Sequence, residues 1–110
     1  MTTSSDTSVQ ELMSMHNRVS LITGGSGHIA QAMAGALAEL GSDLVLLDRD
    51  EKALAVSAAH HIDRYGVRVE TIHCDLECNA QLLGVPEWIE NTMGRLDVLI
   101  NNAAFVGAAD

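Results

Sequence analysis

From Arg18 onward the chain alternates short apolar runs with segments in which apolar residues recur at helical spacing. Residues 18–23 (RVSLIT) form the first apolar run and predict a strand. Ile29, Met33, Leu37 and Leu40 come next at spacings of four, four and three, one stripe along a helix over residues 28–40. Gly41 suits the end of that helix, because glycine takes a left-handed conformation without a Cβ penalty. Residues 43–48 (DLVLLD) are a continuous apolar run bounded by acids, the pattern of a strand covered on both faces. A second helix is predicted over residues 51–65, with Leu54, Ala58, Ile62 and Tyr65 on its buried side and Gly66 closing it. Residues 68–73 (RVETIH) predict the third strand. Gly84 and Pro86 interrupt the stretch after it. Proline needs no N–H in a first helical turn, so a helix is expected over residues 86–93, with Trp88, Ile89 and Met93 facing inward. Residues 96–101 (LDVLIN) predict the fourth strand.

Strands that alternate with helices pair in parallel through right-handed crossovers. The expected fold class is α/β: a doubly wound, Rossmann-like parallel sheet, partial, with four strands in the order 3-2-1-4. Residues 17–110 would form this one domain, and 110 residues leave no room for a second. Residues 1–16 are Ser/Thr-rich without periodicity and read as a flexible arm.

Composition agrees with close packing on a buried sheet. The apolar residues are mostly Ala, Leu, Val and Ile, and the aromatic ones are only Tyr65, Trp88 and Phe105. The net charge of −9 argues against nucleic acid or an anionic membrane as partner, since both need basic patches. A dinucleotide is not excluded, because backbone N–H groups at a helix start hold its pyrophosphate without Lys or Arg. No run approaches the ~20 apolar residues of a membrane span. The first ten residues lack the basic cluster and apolar core of a secretory signal. Cys74 and Cys78 are the only cysteines. With His73 and Asp75 they could make half a metal site, but the chain has no second ligand pair at zinc-like spacing, so no metal is expected. Two reduced thiols fit a cytoplasmic location.

The candidate chemistry lies in the turn after the first strand. Gly25-Ser26-Gly27-His28-Ile29-Ala30 matches the pattern G-x-G-x-x-G/A, preceded by Thr23-Gly24. One glycine permits the tight turn, another lets backbone approach a pyrophosphate, and a third small residue lets helix and strand pack closely. The helix then aims free N–H groups and its positive dipole end at the phosphates. Such a pattern is weak alone, but here it leaves a strand and opens a helix within a βαβ unit. Asp48, 18 residues after Ala30, ends the second strand, where a carboxylate accepts the ribose hydroxyls and repels a 2′-phosphate. That favours NAD. Arg49 keeps NADP open, since a guanidinium there could pair with a 2′-phosphate. The plainer role for Asp48 is a cap on the following helix.

Thr23–Ala30, Asp48, Cys74-Asp75-Leu76 and the stretch Leu96–Ala104 (LDVLINNAA) together resemble the short-chain dehydrogenase/reductase family from about Arg18 to Phe105. The resemblance implies that Gly24, Gly25, Ser26, Gly27, His28 and Ile29 cradle the cofactor phosphates and that Asp48, with Arg49 beside it, meets the adenosine ribose. It also implies that Asp75 bonds the adenine amino group and Leu76 lies beside the ring. Asn101 would tie the sheet together while Asn102, Ala103 and Ala104 pass close to the cofactor. His28 and Ala104 depart from the family's glycines, and Ala30 is an accepted third small residue. The implied activity is hydride transfer between NAD, or NADP, and a small alcohol or ketone, in a protein that forms homo-oligomers when full length. Family catalysis uses a Ser, and a Tyr and Lys four residues apart. The single tyrosine, Tyr65, and the single lysine, Lys52, make no such pair, so no catalytic residue is assigned. The chain is thus expected to be truncated at its C-terminus, with further strands and the catalytic set beyond. A non-catalytic nucleotide-binding module and a fragment of an extended-branch sugar-nucleotide epimerase or dehydratase are the alternatives.

Overall fold

The computed structural model describes residues 8–102. A parallel sheet is built from β1 (Val19–Thr23), β2 (Asp43–Asp48), β3 (Val69–His73) and β4 (Val98–Asn101), in the spatial order β3-β2-β1-β4. The expected 3-2-1-4 order is the one found. The helices between them are α2 (His28–Glu39), α3 (Glu51–Tyr65), α4 (Asn79–Leu83) and α5 (Val85–Met93), and a short α1 (Val9–Met13) precedes the sheet. No helix among the described residues is long and apolar enough to cross a membrane.

Strand side chains alternate between two cores. Ile22, Leu44, Leu46 and Val69 meet Ala30, Ala34 and Ala38 of α2 and Leu54 and Ala58 of α3 on one face. Val19, Leu21, Val45 and Leu47 meet Ile89 of α5 and Cys74 on the other, with Leu82 of α4 and Trp88 beside them. Helices therefore cover both faces, which is why β2 reads as an unbroken apolar run.

Three helices differ from their expected form. The buried face of α2 is Ala30, Ala34, Gly35 and Ala38, and Ile29, expected on the inward stripe, is 68% exposed. Small residues win because they let the helix axis lie close to the sheet, leaving the larger side chains at the flanks. Gly35 shows how close the packing is: a Cβ there would stand 2.9 Å from the Tyr65 hydroxyl of α3. On α3 the buried residues are Leu54, Ser57, Ala58 and His61, while Ile62 faces outward. The helix predicted over residues 86–93 begins one residue earlier and is preceded by α4, which the apolar pattern does not predict. Pro86 does stand in its first turn.

Within the segment expected to be a flexible arm, α1 is a formed turn of helix with a reciprocal cap. The Glu11 amide donates to Ser8 Oγ at 3.1 Å and the Ser8 amide to Glu11 Oε2 at 3.4 Å. The Met15 amide then donates to the Leu40 carbonyl at 2.8 Å, fastening the arm to the end of α2. At the same end of the sheet the Asp97 carboxylate accepts the Val19 amide at 2.9 Å and pairs with Arg95 at 2.7 Å. Arg95 and the Val19 amide outweigh desolvation and hold that carboxyl down at about 2.

Candidate functional site

The turn from β1 into α2 is built by three glycines in different tasks. Gly24 takes the left-handed conformation, φ +66°, that reverses the chain direction off Thr23. Gly25 lies against β2: its amide donates to the Leu47 carbonyl at 3.0 Å, and a Cβ on it would stand 2.8 Å from Leu46 Cβ. Its carbonyl accepts Ser57 Oγ of α3 at 3.3 Å, so the turn is gripped from two elements. Gly27 is the N-cap of α2, with its amide bonded to the Gly24 carbonyl at 3.1 Å and no side chain capping the helix. The first turn carries no acid. Its positive end is therefore left for an external anion, and a Cβ on Gly27 would meet nothing nearer than the Gly24 carbonyl at 3.5 Å. These features fit a phosphate-bearing ligand.

At the end of β2, Asp48 turns back to this loop. Ser26 Oγ donates to Asp48 Oδ2 at 2.6 Å, the Ser26 amide donates to the same oxygen at 3.2 Å, and the Asp50 amide donates to Oδ1 at 3.1 Å. Partial burial raises the carboxyl's pKa, but these donors outweigh it and hold the group below 3.8, ionised at neutral pH. The cap on α3 is Asp50, not Asp48: Asp50 Oδ1 accepts the Ala53 amide at 3.0 Å. Asp48 is thus free of the structural duty that a helix cap would give it.

Between the turn and the strand ends lies an open cleft of about 560 Å³. Gly24, Ser26 and Gly27 form one wall, and Asp48 and Arg49 line it from β2. Asp75 and Leu76 line it from the segment after β3, and Asn102 from the end of β4. The Asp75 backbone and side chain are fixed by bonds from its amide to Gln81 Oε1 at 2.7 Å and from the Glu77 amide to its Oδ1 at 2.9 Å. Asn101 Oδ1 accepts Thr23 Oγ1 at 2.9 Å and the Asn102 amide donates to Thr23 Oγ1 at 3.0 Å, joining β4 to β1 at the cleft floor.

Three predicted residues do not line the cleft. Gly25 is folded onto Leu46, and His28 and Ile29 stand exposed on the first turn of α2. Ala103 and Ala104 lie outside the described residues. Leu47 and Glu77 line the cleft without having been singled out, and Cys74, named only beside Asp75 and Leu76 and with no cofactor role, lines it too. The available signal was position, since each adjoins the carboxyl end of a strand, where open α/β sheets hold ligands. Cys74 is buried, and burial, with the neighbouring Cys78 and Asp75 adding to it, pushes its thiol pKa up, away from the reactive thiolate.

The sequence profile of the family described as short chain dehydrogenase matches residues 18–110. A sorbose reductase of Schizosaccharomyces pombe is 38% identical over 94 residues, which cover 84% of this chain and 36% of that protein. An NAD+-bound xylitol dehydrogenase superposes with a TM-score of 0.81 at 33% identity, over 86% of this chain and 36% of the other. The L-sorbose reductase of Gluconobacter frateurii, solved with NADPH and L-sorbose, superposes with a TM-score of 0.80 at 31% identity, over 84% of this chain and 35% of the other. The chain thus spans about a third of the length of the relatives it matches.

Proposed function

Because the chain belongs to the short-chain dehydrogenase family, we propose that it supplies the dinucleotide-binding part of an NAD(P)-dependent oxidoreductase acting on an alcohol or ketone. The observation that carries this reading is the pairing of an uncapped, acid-free helix start with an ionised Asp48 across one cleft. The bound cofactor would supply the hydride chemistry. This chain's residues bind and orient it. The backbone of Gly24, Gly25, Ser26, Gly27, His28 and Ile29 would hold the phosphates, through amides rather than side chains, so the exposure of His28 and Ile29 is no obstacle. Asp48 would accept the adenosine ribose hydroxyls, Asp75 the adenine amino group, and Leu76 would lie beside the ring. Asn102, Ala103 and Ala104 would pass close to the cofactor.

NAD is the preferred form on this reading. A 2′-phosphate beside the Asp48 carboxylate would meet a repulsion of about 1 kcal/mol in water, rising to about 4 kcal/mol in a partly desolvated cleft. Arg49, whose guanidinium makes no ion pair among the described residues, offsets part of it and leaves NADP as the second choice. Tyr65 stacks on His61 with ring centroids 6.0 Å apart and has no lysine four residues on, so the proton-transfer groups would come from a longer protein. Residues 17–110 would be its cofactor domain, in a homo-oligomer. Two free thiols suit a reducing, cytoplasmic setting. The relatives' own substrates, sorbose and xylitol, make polyol–ketose pairs the first class to assay.

Calorimetric titration of the folded chain with NAD and NADP tests the reading. NAD should bind at least about tenfold more tightly than NADP, and Asp48→Ala should abolish that difference by weakening NAD. A folded sample that binds neither dinucleotide would overturn the proposal; an Asp48→Ala variant with unchanged NAD affinity would remove the ribose assignment alone.

A further inference from the structure

Ser26 sits between the two halves of the cleft, and its bonding is unlike that of the other turn residues. Its hydroxyl, at 2.6 Å, and its amide, at 3.2 Å, both address Asp48 Oδ2, while Asp48 Oδ1 takes the Asp50 amide at 3.1 Å. The Ser26 carbonyl is held in turn by Gln31 Nε2 of α2 at 2.9 Å, so the residue cannot swing freely. A carboxylate offers about four lone-pair sites. Two are filled on the turn side by Ser26 and one on the far side by Asp50, which leaves the remaining capacity on Oδ1.

We infer that Ser26 is a positioning residue of the dinucleotide site, clamping the Asp48 carboxylate in the one orientation that presents the open site on Oδ1 to the ribose 2′-hydroxyl. The inference rests on the dinucleotide reading and adds a specificity element to it. Ser26 touches the phosphate turn through its backbone and the ribose acceptor through its side chain, so one residue sets the distance between the two subsites. The hydroxyl proton that Ser26 gives to Asp48 is also withdrawn from any 2′-phosphate. The serine therefore strengthens the choice of NAD twice: it fixes the acceptor for a free 2′-hydroxyl and denies a donor to a phosphorylated one. An alanine at this position would leave the two amide bonds, at 3.2 and 3.1 Å, but remove the shortest of the three that fix the carboxylate, at 2.6 Å.

The experiment compares NAD with its 2′-deoxyadenosine analogue, by calorimetry on the full chain. A hydrogen bond to a charged group is worth roughly tenfold or more in affinity, so wild type should bind the deoxy analogue about tenfold more weakly than NAD. In Ser26→Ala the NAD affinity should fall roughly three- to tenfold and the deoxy penalty should shrink to about twofold. Ser26→Thr, which keeps a hydroxyl, should restore the penalty. In Ser26→Ala/Asp48→Ala, NAD should bind no more weakly than in Asp48→Ala, because a clamp without a carboxylate has nothing to position. A purely structural serine would weaken NAD and the deoxy analogue alike. Should Ser26→Ala fail to fold, Ser26→Cys retains the volume with only a weak donor and carries the same comparison. Retention of the full deoxy penalty in Ser26→Ala overturns the inference, as does a loss of NADP affinity larger than the loss for NAD, which would make Ser26 a phosphate ligand. Failure of wild type to bind NAD at all is a different result, and it brings down the dinucleotide reading on which the clamp depends.

Discussion

A methyl group on Gly25 would stand 2.8 Å from Leu46 Cβ and 3.1 Å from Leu46 Cα, and neither atom can move without shifting β2. Gly25→Ala should therefore cost about 1–3 kcal/mol of stability, read as a lower midpoint in urea with an unchanged slope. Gly27→Ala is the contrast. Its new Cβ meets only the Gly24 carbonyl at 3.5 Å, so the fold should tolerate it within about 0.5 kcal/mol while dinucleotide affinity falls, because the methyl points where the phosphates would lie. Equal loss of stability in the two variants would contradict this division of labour. The glycine pattern announced the turn but not which glycine does which task. That depends on contacts with Leu46 and Leu47 of a strand some twenty residues away, which spacing alone does not carry. Asp48 was legible because a strand-ending acid at that distance has few roles; Ser26 as its partner was not, since the bond exists only once β2 and the turn are brought together.

At the scale of elements, α3 carries a conflict that its sequence hides. Leu54 and Ala58 are inward as the apolar spacing predicts, but the next inward place is taken by His61, 1% exposed, with neither ring nitrogen bonded among the described residues. Its surroundings are aromatic and titratable: His60 lies edge-on at 5.2 Å and Tyr65 is stacked at 6.0 Å. Desolvation, then the neighbouring His60, lowers the imidazole's pKa below 6.5. The neutral ring is therefore the folded form, and the unfolded chain takes up a proton first as pH falls. Stability should be full above 6.5 and decline as pH drops from 6.5 to the depressed folded value. His61→Leu should remove that slope and raise stability at neutral pH by roughly 1–2 kcal/mol, since an unsatisfied buried polar group is replaced by an apolar one. Thermal melts of both proteins across pH 5–8 decide the matter, and parallel pH profiles would rule out His61 as the cause. Reading α2 from large apolar residues went astray for a related reason. Where a helix must lie close to a sheet, Ala30, Ala34, Gly35 and Ala38 form the inner face and Ile29 is left outside. Hydrophobic periodicity ranks side chains by transfer energy, whereas close approach ranks them by size. β1 and β2 escaped this error because both their faces are buried, and α4 was missed because five residues ending at Leu83 give too short a period to detect.

For the molecule as a whole, the two sides of the sheet end differently. β3 at one edge still carries the charged Glu70, ion-paired to Arg68 at 3.1 Å, which blunts pairing with a foreign strand. β4 at the other edge is Val-Leu-Ile-Asn, and its Leu99 is 60% exposed, with Leu96 just before it also exposed. An apolar edge with unpaired backbone groups is a template for strand addition. In a protein three times this length, further strands would cover it; in the 110-residue chain nothing among the described residues does. The isolated chain should therefore self-associate with rising concentration, and Leu99→Lys should shift sedimentation profiles back toward monomer. The cleft lies at the carboxyl ends of the strands and not along the edge, so the same substitution should leave NAD affinity within about twofold. Saturating NAD should in turn raise the thermal midpoint without dispersing the oligomers, because monomer and oligomer present the same cleft and bind NAD alike. If Leu99→Lys associates as strongly as wild type, the contact lies elsewhere, with the exposed apolar side chains Val9, Leu12 and Met13 of α1 the next surface to substitute. Dispersal by NAD would instead mean that the edge and the cleft are coupled through the end of β4, where Asn101 and Asn102 line the cleft.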